Sequence, residues 1–565
     1  MEDPKLLVCL LQHFSSNKII VKDDTFIIVL ELPEDDPFFD KKKKLLCDKG
    51  FDIKEQIQLQ SSFSLDSVAT TLRKILHIAR IIHLDEVELY FGENDECSSV
   101  EYCSLRNEVE ALNSIAALLD GMLSSKTHRE MNVLQTLRDA VVDRIENSME
   151  DNRVETRIDK SYSCDIEKSI AEWGQRNGVH SRLEIVYVEG AGRGAIATED
   201  LKVGDIALEI PVSIIISEEL VRHSDMYHIL EKIDGISSET MLLLWSMKER
   251  HNCNSKSKIY FDTLPKEFNT GLSFGVDAIM ASDGTLLFDE IMQAKEHLRV
   301  QYDELVSALC NNYPDVFPPE LYTWEQFLWA CELWYSNSMK IKFLDGKLRT
   351  CLIPIAGFLN HSLHPHIIHY GKVDSITNTL KFPLSRPCRV GEQCCLSYGN
   401  FSGAHLITFY GFLPQGDNRY DIIPLDIDAG EADSTEDCPM SSWATHMVRG
   451  TWLSKNHNIF CYGLPCPLLD LFRRARVPMP YTKTITQSNL EIEMEILEDL
   501  QSTFSNMMEN LGDPDLVDRE NTSWDVKLAL DFKDLQRRIV SSILTSCDAG
   551  FKLVQNELSK CMAEE

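Results

Sequence analysis

The feature that most constrains the fold of this chain is a pair of polar tripeptides, each of which ends an apolar run. Asn-His-Ser begins at Asn360, after the apolar residues 352–359, and Ser-Tyr-Gly is centred on Tyr398, after the apolar residues 394–396. An Asn amide both donates and accepts hydrogen bonds, and a Tyr hydroxyl can order a reacting amine. Together the two tripeptides predict a small polar pocket inside an otherwise apolar fold.

A third segment, residues 189–197, is rich in glycine and contains Ala191, Gly192 and Arg193. It precedes a turn and then a strand-like run over residues 206–210. Glycine is needed where a side chain would block the close approach of a ligand or forbid the dihedral angles of a turn. A lone Gly-x-Gly is most often an ordinary turn. This segment is informative because of its position in the chain before the two tripeptides.

The three segments, taken together, resemble those of the SET-domain protein methyltransferases. The likeness is to the plant Rubisco large-subunit methyltransferase group, which also includes the actin-histidine methyltransferase, and it covers about residues 165–420. This resemblance implies S-adenosyl-L-methionine as the cofactor. It also implies an α+β fold, in which a β-rich SET domain at 166–420 carries a helical insertion at about 218–345.

The same resemblance assigns roles near the reacting atoms. Tyr398 matches the catalytic tyrosine, whose hydroxyl lies near the methyl group and the target nitrogen; the alternative is a tyrosine that ends a strand and bonds to backbone. Tyr410 matches an aromatic position that lines the pocket, or else packs in the core. Asn337 stands where active relatives usually have Arg, and Gly357 where they commonly have Asp. Asn337 can still form hydrogen bonds but lacks the charge that pairs with the cofactor carboxylate.

The cofactor-binding residues also follow from the resemblance. Asn360 and His361 match the pair that binds the amino-acid and adenine ends of the cofactor. A lone buried Asn-His pair would usually have only a structural role, forming hydrogen bonds with other buried polar groups. Ala191, Gly192 and Arg193 would contribute backbone contacts from the glycine-rich turn, and the Arg193 side chain is free to point to solvent.

Four histidines close together in the sequence are an alternative candidate for a metal site. His361, His364, His366 and His369 are of a residue type that commonly binds metals. However, no Cys or carboxylate lies among them in sequence, and a proline interrupts the segment. The sequence therefore predicts no metal site.

Composition limits partners and compartment. A net charge of −33 argues against general nucleic-acid binding and is compatible with a basic protein substrate or simply with solubility. The 17 cysteines form no repeated C-x-x-C framework, which suits reduced thiols in the cytoplasm or nucleus. The acidic start does not support chloroplast targeting, and no apolar run is long enough to span a membrane. The basic run at 41–44 is interpreted as a solvated loop rather than a nuclear-import signal.

The rest of the chain divides around the SET-like region. Residues 1–147 have a strand-like run at 26–30 and show no family resemblance. Their helical patterns lie at 65–83, 105–123 and 128–145. Residues 148–165 read as a linker, so 1–147 is expected to be an attached region with a possible protein partner. Residues 421–565 are expected to be a helical domain that binds the substrate, because of their position and of helical spacing at 528–543.

The sequence thus predicts a protein methyltransferase that acts on a lysine of a non-histone protein or a histone. The partner is a protein substrate of unknown identity. One alternative is a catalytically weak or inactive SET-fold interaction protein, which the residues at 337 and 357 motivate. A lesser alternative is a protein-histidine methyltransferase.

Overall fold

The protein forms three packed units: an N-terminal unit that ends at Met149, a central β-rich unit with a helical insertion, and a C-terminal helical unit. The computed structural model describes residues 17–22, 25–60, 65–92, 104–123, 132–149, 155–426, 443–477, 481–512 and 519–564. The mixture of small sheets and many helices confirms the expected α+β class. Within these stretches, no helix combines the length and apolar character needed to cross a membrane.

A three-stranded antiparallel sheet covered by helices forms the N-terminal unit. Its strands are β1 (Lys18–Lys22), β2 (Thr25–Glu31) and β3 (Lys54–Gln60), with β2 in the middle. Its helices are α1 (Phe39–Asp48), α2 (Leu65–Ile82), α3 (Glu86–Gly92), α4 (Leu105–Leu123) and α5 (Asn132–Met149). The apolar positions of α4 recur every three or four residues and pack against α2 and α5, which gives the unit its own hydrophobic core.

The helical periodicity predicted the ends of α2 and α4 to within one residue. It predicted both ends of α5 about four residues too early in the chain. The interpretation of 41–44 as a solvated loop was wrong. These lysines lie on α1, and Lys42 is buried. Its ammonium donates to Asp36 Oδ2 (2.7 Å) and to the carbonyl oxygen of Ile82 (2.9 Å). Two acceptors compensate the buried charge, and a charge count cannot reveal this.

Short antiparallel strands build the central unit after helix α6 (Asp165–Arg176). The strands are β4 (His180–Ser181), β5 (Leu183–Val188), β6 (Gly192–Ala197), β7 (Ile206–Pro211), β8 (Ser338–Lys342), β9 (Leu348–Leu352) and β10 (Thr379–Pro383). One sheet has the order β10-β7-β4, while β5–β6 and β8–β9 are hairpins. The apolar residues 394–396 do not form a regular strand; Leu396 makes isolated bridges to His361 and to Ile367.

Helices fill the chain between β7 and β8. They are α7 (Glu218–Arg222), α8 (Tyr227–Leu230), α9 (Ser238–Glu249), α10 (Lys258–Thr263), α11 (Val276–Ala281), α12 (Leu286–Gln301), α13 (Ser307–Asn312) and α14 (Trp324–Asn337). Helices α9, α12 and α14 begin with hydroxyl caps: Ser237, Thr285 and Thr323 each accept a backbone N–H three residues later. After β10, helix α15 (Gly403–Tyr410) packs against α12 and α14.

The C-terminal unit is a helical layer joined to a two-stranded sheet. The strands are β11 (Ile422–Leu425) and β12 (His446–Arg449), and the helices are α16 (Cys466–Arg476), α17 (Gln487–Asn510) and α18 (Trp524–Glu564). The apolar spacing at 528–543 falls on α18, as expected from the sequence. A buried ion pair joins α16 to α17, with Arg473 Nε 2.7 Å from Glu493 Oε1.

The N-terminal unit is joined to both of the others. Glu88 of α3 forms an ion pair with Arg419 (3.0 Å). Arg419 lies in the loop that follows helix α15 of the central unit. The hydroxyl of Tyr90 lies 3.1 Å from Nδ1 of His446 in β12. Val203, in the turn before β7, is buried in the N-terminal core. The first unit is therefore part of one packed body.

Candidate active site

Three sequence segments meet at one point of the central unit. The side-chain amide Nδ2 of Asn360 donates to the carbonyl oxygen of Arg193 in β6 (3.0 Å). The backbone carbonyl oxygen of Asn360 accepts from the N–H of Leu396 (2.9 Å), two residues before Tyr398. The Asn360 segment therefore lies between the glycine-rich hairpin and the Tyr398 segment. The structure brings together the three places that the sequence had singled out.

Glycine is needed in the β5–β6 hairpin for two different reasons. Gly190 and Gly192 have φ angles of 76° and 68°, in the left-handed region that favours glycine. At Gly194 the constraint is space, because a Cβ atom there would lie 3.1 Å from Nδ2 of Asn360 and 2.9 Å from Nε2 of Gln393. The missing side chain at 194 lets Asn360 reach the backbone of β6.

Tyr398 is held at three points. Its hydroxyl donates to the carbonyl oxygen of Leu359 (3.2 Å), and its backbone N–H donates to Nδ1 of His361 (3.1 Å). Its ring stacks on that of Tyr410, with centroids 4.9 Å apart. Burial raises the pKa of the Tyr398 hydroxyl well above its ordinary value, so the group is protonated at neutral pH. With its proton directed at Leu359, the hydroxyl oxygen keeps its lone pairs for an incoming donor.

His361 supports the Tyr398 backbone rather than acting as a base. Burial lowers the pKa of His361 to about 4, so the ring is neutral at physiological pH. Because Nδ1 accepts the N–H of Tyr398, the ring proton belongs on Nε2. The neutral ring lies 5.3 Å from the Tyr398 ring, between centroids.

The side chain of Arg193 is used inside the protein. Its guanidinium donates to the carbonyl oxygen of Thr263, lies 3.5 Å from Glu167 Oε1 and stands over the ring of Phe358. Ala191 and Gly192 are exposed at the tip of the hairpin, and the N–H of Ala191 donates to the carbonyl oxygen of Val188 (3.1 Å). The interpretation of Arg193 as a solvent-facing side chain was therefore wrong, because the packing of α10 against α6 gives it partners.

Asn337 lies at the end of α14, beside a cavity of about 30 Å³ that Tyr398, Tyr410 and Gly357 also line. Its Nδ2 donates to the hydroxyl of Ser336 (2.7 Å). A Cβ atom at Gly357 would lie 3.4 Å from Asn337 Oδ1, which is ordinary contact. The two departures from the family pattern therefore face each other next to the Tyr398 ring.

A cleft of about 2000 Å³ opens above this small cavity. Its floor includes Tyr398 and Tyr410, and aromatic rings of α14 and α15 line one side. In that side, His405 Nδ1 lies 2.9 Å from Glu290 Oε1 of α12. The opposite wall comes from the N-terminal unit, from residues within 35–42, 83–86 and 105–110. Sequence reasoning missed this wall, because no local pattern in 1–147 signals a partner so distant in the chain.

The histidine-rich segment is arranged differently from what its spacing suggested. His366 lies with Cys388 and Cys394, all buried, and their ligand atoms are within 4.8 Å of one another. No Cys or carboxylate lies among these histidines in the sequence, but the fold brings Cys388, Cys394 and Glu392 to His366. The Nδ1 atom of His366 accepts the N–H of Cys395 (3.1 Å), and Nε2 lies 3.0 Å from Glu392 Oε1. Both ring nitrogens are thus engaged in holding the segment that leads to Tyr398.

Comparison with known proteins places this geometry among related chains. Residues 33–155 match the family described as Rubisco LSMT substrate-binding. The Rubisco large-subunit N-methyltransferase of Nicotiana tabacum is 24% identical over 254 residues, 43% of this chain and 49% of that protein. The human actin-histidine N-methyltransferase is 24% identical over 274 residues, 47% of this chain and 45% of that protein. The fructose-bisphosphate aldolase-lysine N-methyltransferase of Arabidopsis thaliana is 25% identical over 257 residues, 44% and 52% of the two chains.

Two solved structures share the architecture. The SET domain of LSMT bound to lysine and AdoHcy has a TM-score of 0.51 at 17% identity, and the match covers 69% of this chain and 92% of that one. Rubisco LSMT bound to AdoMet also has a TM-score of 0.51 at 17% identity, with 69% and 93% covered. This chain spans about half the length of the curated relatives it matches. It has the fold of the LSMT SET domain and resembles the Rubisco large-subunit and actin-histidine methyltransferase group.

Proposed function

We propose that this protein is an S-adenosylmethionine-dependent protein methyltransferase that acts on a lysine side chain. One observation carries the proposal: Tyr398 lines both the small cavity and the large cleft, and its hydroxyl is anchored to Leu359, the neighbour of Asn360, which in turn bonds to the glycine-rich hairpin. Such a junction has two entrances, so a cofactor and a polypeptide can approach the same oxygen from different sides.

The donor groups around Asn360 fit S-adenosylmethionine. Among the described residues, the Asn360 side-chain oxygen has no hydrogen-bond partner, so it is available to accept from an ammonium or an adenine amine. The hairpin tip at Gly190 and Gly192 leaves open space above its backbone. The backbone of His361 completes the set of residues that would hold the cofactor, and Asn337 belongs to the substrate pocket with Tyr410. When bound, S-adenosylmethionine supplies an electrophilic methyl group on a sulfonium.

The residues of the chain then have three tasks. The buried aromatic walls disfavour the ammonium form of an acceptor lysine, whose ordinary pKa is about 10.4. The Tyr398 oxygen accepts from the remaining N–H of the amine and so directs the nitrogen lone pair toward the methyl group. Since Tyr398 is itself protonated and hydrogen-bonded to Leu359, it orients the acceptor and takes no proton from it. Alignment supplies much of the rate in such a displacement.

We assign lysine rather than histidine as the acceptor because the cavity between Tyr398, Tyr410 and Asn337 is small, about 30 Å³, and the end of an unbranched methylene chain needs less space than a planar ring. The relatives include methyltransferases of both kinds. A second candidate function is that of a non-catalytic interaction protein. It is favoured by Asn337, which stands where active relatives usually have a cationic Arg.

Two measurements test the proposal together. Isothermal titration of the full-length protein with S-adenosylmethionine is expected to show saturable binding. Incubation with a cell extract and isotopically labelled S-adenosylmethionine, followed by mass spectrometry, is expected to find the label on lysine. Binding of the cofactor without methyl transfer would favour the non-catalytic interaction protein. Label on histidine would show that the acceptor is histidine and not lysine. Absence of binding at millimolar cofactor would overturn the proposed function.

We also propose a cytoplasmic or nuclear location. The described cysteines are all free thiols, and several are buried in the cores, which suits a reducing compartment. Fractionation of cells that express a tagged protein is expected to find it there, and recovery from chloroplasts would contradict this.

A further inference from the structure

The N-terminal unit forms one whole wall of the cleft that leads to Tyr398. The lining residues of this wall include Phe38, His83 and Glu86, while other lining residues come from the insertion and the SET core. None of the described residues beyond Tyr420 lines the cleft. Among the described residues, the lining of this cleft therefore includes the first unit and excludes the C-terminal helices.

This wall is fixed in place beside the reacting residues. Asp85 Oδ2 accepts from the hydroxyl of Tyr420 (2.7 Å) and lies 3.4 Å from Nδ2 of Asn400, two residues after Tyr398. On the other side of the cleft, Glu110 Oε1 is 3.5 Å from Nε2 of His369. Because both contacts cross from the N-terminal unit to the SET core, the width of the cleft depends on that unit.

The size of the cleft indicates the size of its ligand. At about 2000 Å³ it exceeds the ~300–1,000 Å³ typical of small-molecule sites. The family match at 33–155 covers the residues of this wall, and that family is described as substrate-binding. Size and family match point independently to a polypeptide as the occupant.

One carboxylate of the wall indicates which polypeptide the cleft accepts. Glu86 is half-buried in the cleft and has no hydrogen bond or ion pair among the described residues. Burial and the adjacent carboxylate of Asp85 raise the pKa of Glu86, and the charge of Lys41 offsets this only in part. A cationic side chain in the cleft would give this carboxylate the partner that it lacks.

We propose that Glu86, in the N-terminal unit that matches the substrate-binding family, binds a basic residue near the acceptor lysine. The inference rests on the proposed function and names its substrate class: a basic, lysine-containing peptide segment. The expectation that residues 421–565 bind the substrate competes with it.

Peptide binding without chemistry tests the charge preference. The probe is a fluorescein-labelled nonapeptide with a central lysine flanked by arginines, measured by anisotropy on the full-length protein with S-adenosylhomocysteine present. Its partner peptide has glutamates in place of the arginines. The wild type is expected to bind the arginine peptide at least about tenfold more tightly, and Glu86→Arg to lose that preference. The control Glu146→Arg reverses an exposed carboxylate of α5, outside the cleft, and is expected to keep it.

Cross-linking tests the location separately. A benzophenone on the same arginine peptide is expected to label residues within 35–42, 83–86 or 105–110. Labelling confined to residues beyond 420, no peptide preference in the wild type, or an unchanged preference in a folded Glu86→Arg protein would each overturn the proposal. If Glu86→Arg fails to fold, Glu86→Gln is expected to weaken the preference with a wild-type circular dichroism spectrum. Failure of the proposed function has a different signature, namely absence of cofactor binding or of methyl transfer while the peptide preference remains.

Discussion

At the scale of single residues, the Tyr398 hydroxyl has the sharpest expected signature. Tyr398→Phe is expected to lower the rate of methyl transfer by about 10²–10³-fold and to leave S-adenosylmethionine affinity within about twofold, because an aligning hydroxyl acts mainly in the transition state. Single-turnover rates and calorimetry measure the two quantities. Tyr302→Phe is the matched control, since the hydroxyl of Tyr302 also donates to a backbone carbonyl but lies in the helical insertion. Equal rates for the two variants would remove Tyr398 from the mechanism.

Asn360 is expected to act on affinity instead. Asn360→Ala removes both the donor to Arg193 and the available oxygen, so S-adenosylmethionine binding is expected to weaken by about 1–3 kcal/mol. The measurement is a calorimetric titration at constant salt. Asn177→Ala serves as control, because it removes an amide that bonds to backbone at the exposed end of α6. Wild-type affinity in Asn360→Ala would make Asn360 purely structural.

The residue scale is also where the sequence was most informative. Asn360, Tyr398 and the glycines were found from their type and order, and hydrogen bonds from Asn360 to Arg193 and from Leu396 to Asn360 join the three segments that contain them. The buried partners of Arg193 were not found. Their identity depends on how α6 and α10 pack, and no local pattern contains that information.

At the scale of elements, the packing of the β5–β6 hairpin determines where the side chain of Asn360 lies in the candidate site. Gly194→Ala places a methyl group 3.1 Å from Nδ2 of Asn360, so that side chain must move. Cofactor affinity is expected to fall by about tenfold or more, while the melting temperature changes by only a few degrees. Gly121→Ala in α4 is the control, because a Cβ there meets no atom within 4 Å. Unchanged affinity in a folded Gly194→Ala protein would show that Asn360 does not bind cofactor from this position.

Helix α14 carries a pH-dependent element of stability. Glu332 accepts from the hydroxyls of Thr270 (2.7 Å) and Ser273 (2.6 Å), and burial raises its pKa to about 7 against the partial compensation of these bonds. A folded pKa above the unfolded value of about 4.5 means that its contribution is present below pH 4.5 and lost as pH rises to about 7. The free energy of unfolding of Glu332→Gln, relative to that of the wild type, is therefore expected to rise by on the order of 2–3 kcal/mol from pH 5 to pH 8.

Urea denaturation at the two pH values measures this difference in the free energy of unfolding. Glu325→Gln, at the exposed start of the same helix, is the control and is expected to show no such gain. A constant difference between Glu332→Gln and wild type at both pH values would show that the Glu332 carboxyl does not titrate in this range.

At the scale of the whole molecule, sequence reasoning was weakest. It recovered the helices of the N-terminal region and the long C-terminal helix, because periodicity is local. It treated residues 1–147 as an attachment, whereas Val203 of the central unit is buried in their core. Contacts such as Tyr90 with His446 join residues more than three hundred positions apart, and composition or spacing cannot indicate them.

The junction between the first unit and the SET core is expected to depend on Glu88. This carboxylate is buried between Arg106 (2.6 Å) and Arg419 (3.0 Å), so Glu88→Ala leaves two cations without their shared partner and is expected to cost about 3–5 kcal/mol. Because Arg419 lies outside the N-terminal unit, scanning calorimetry is expected to resolve two unfolding transitions where wild type shows one. Glu108→Ala is the control: it breaks ion pairs to two arginines inside that unit, so it is expected to lower the melting temperature without separating the units. Peptide cross-linking at the cleft should fall with Glu88→Ala alone. A single transition in both variants would mean that the first unit stays docked without this ion pair.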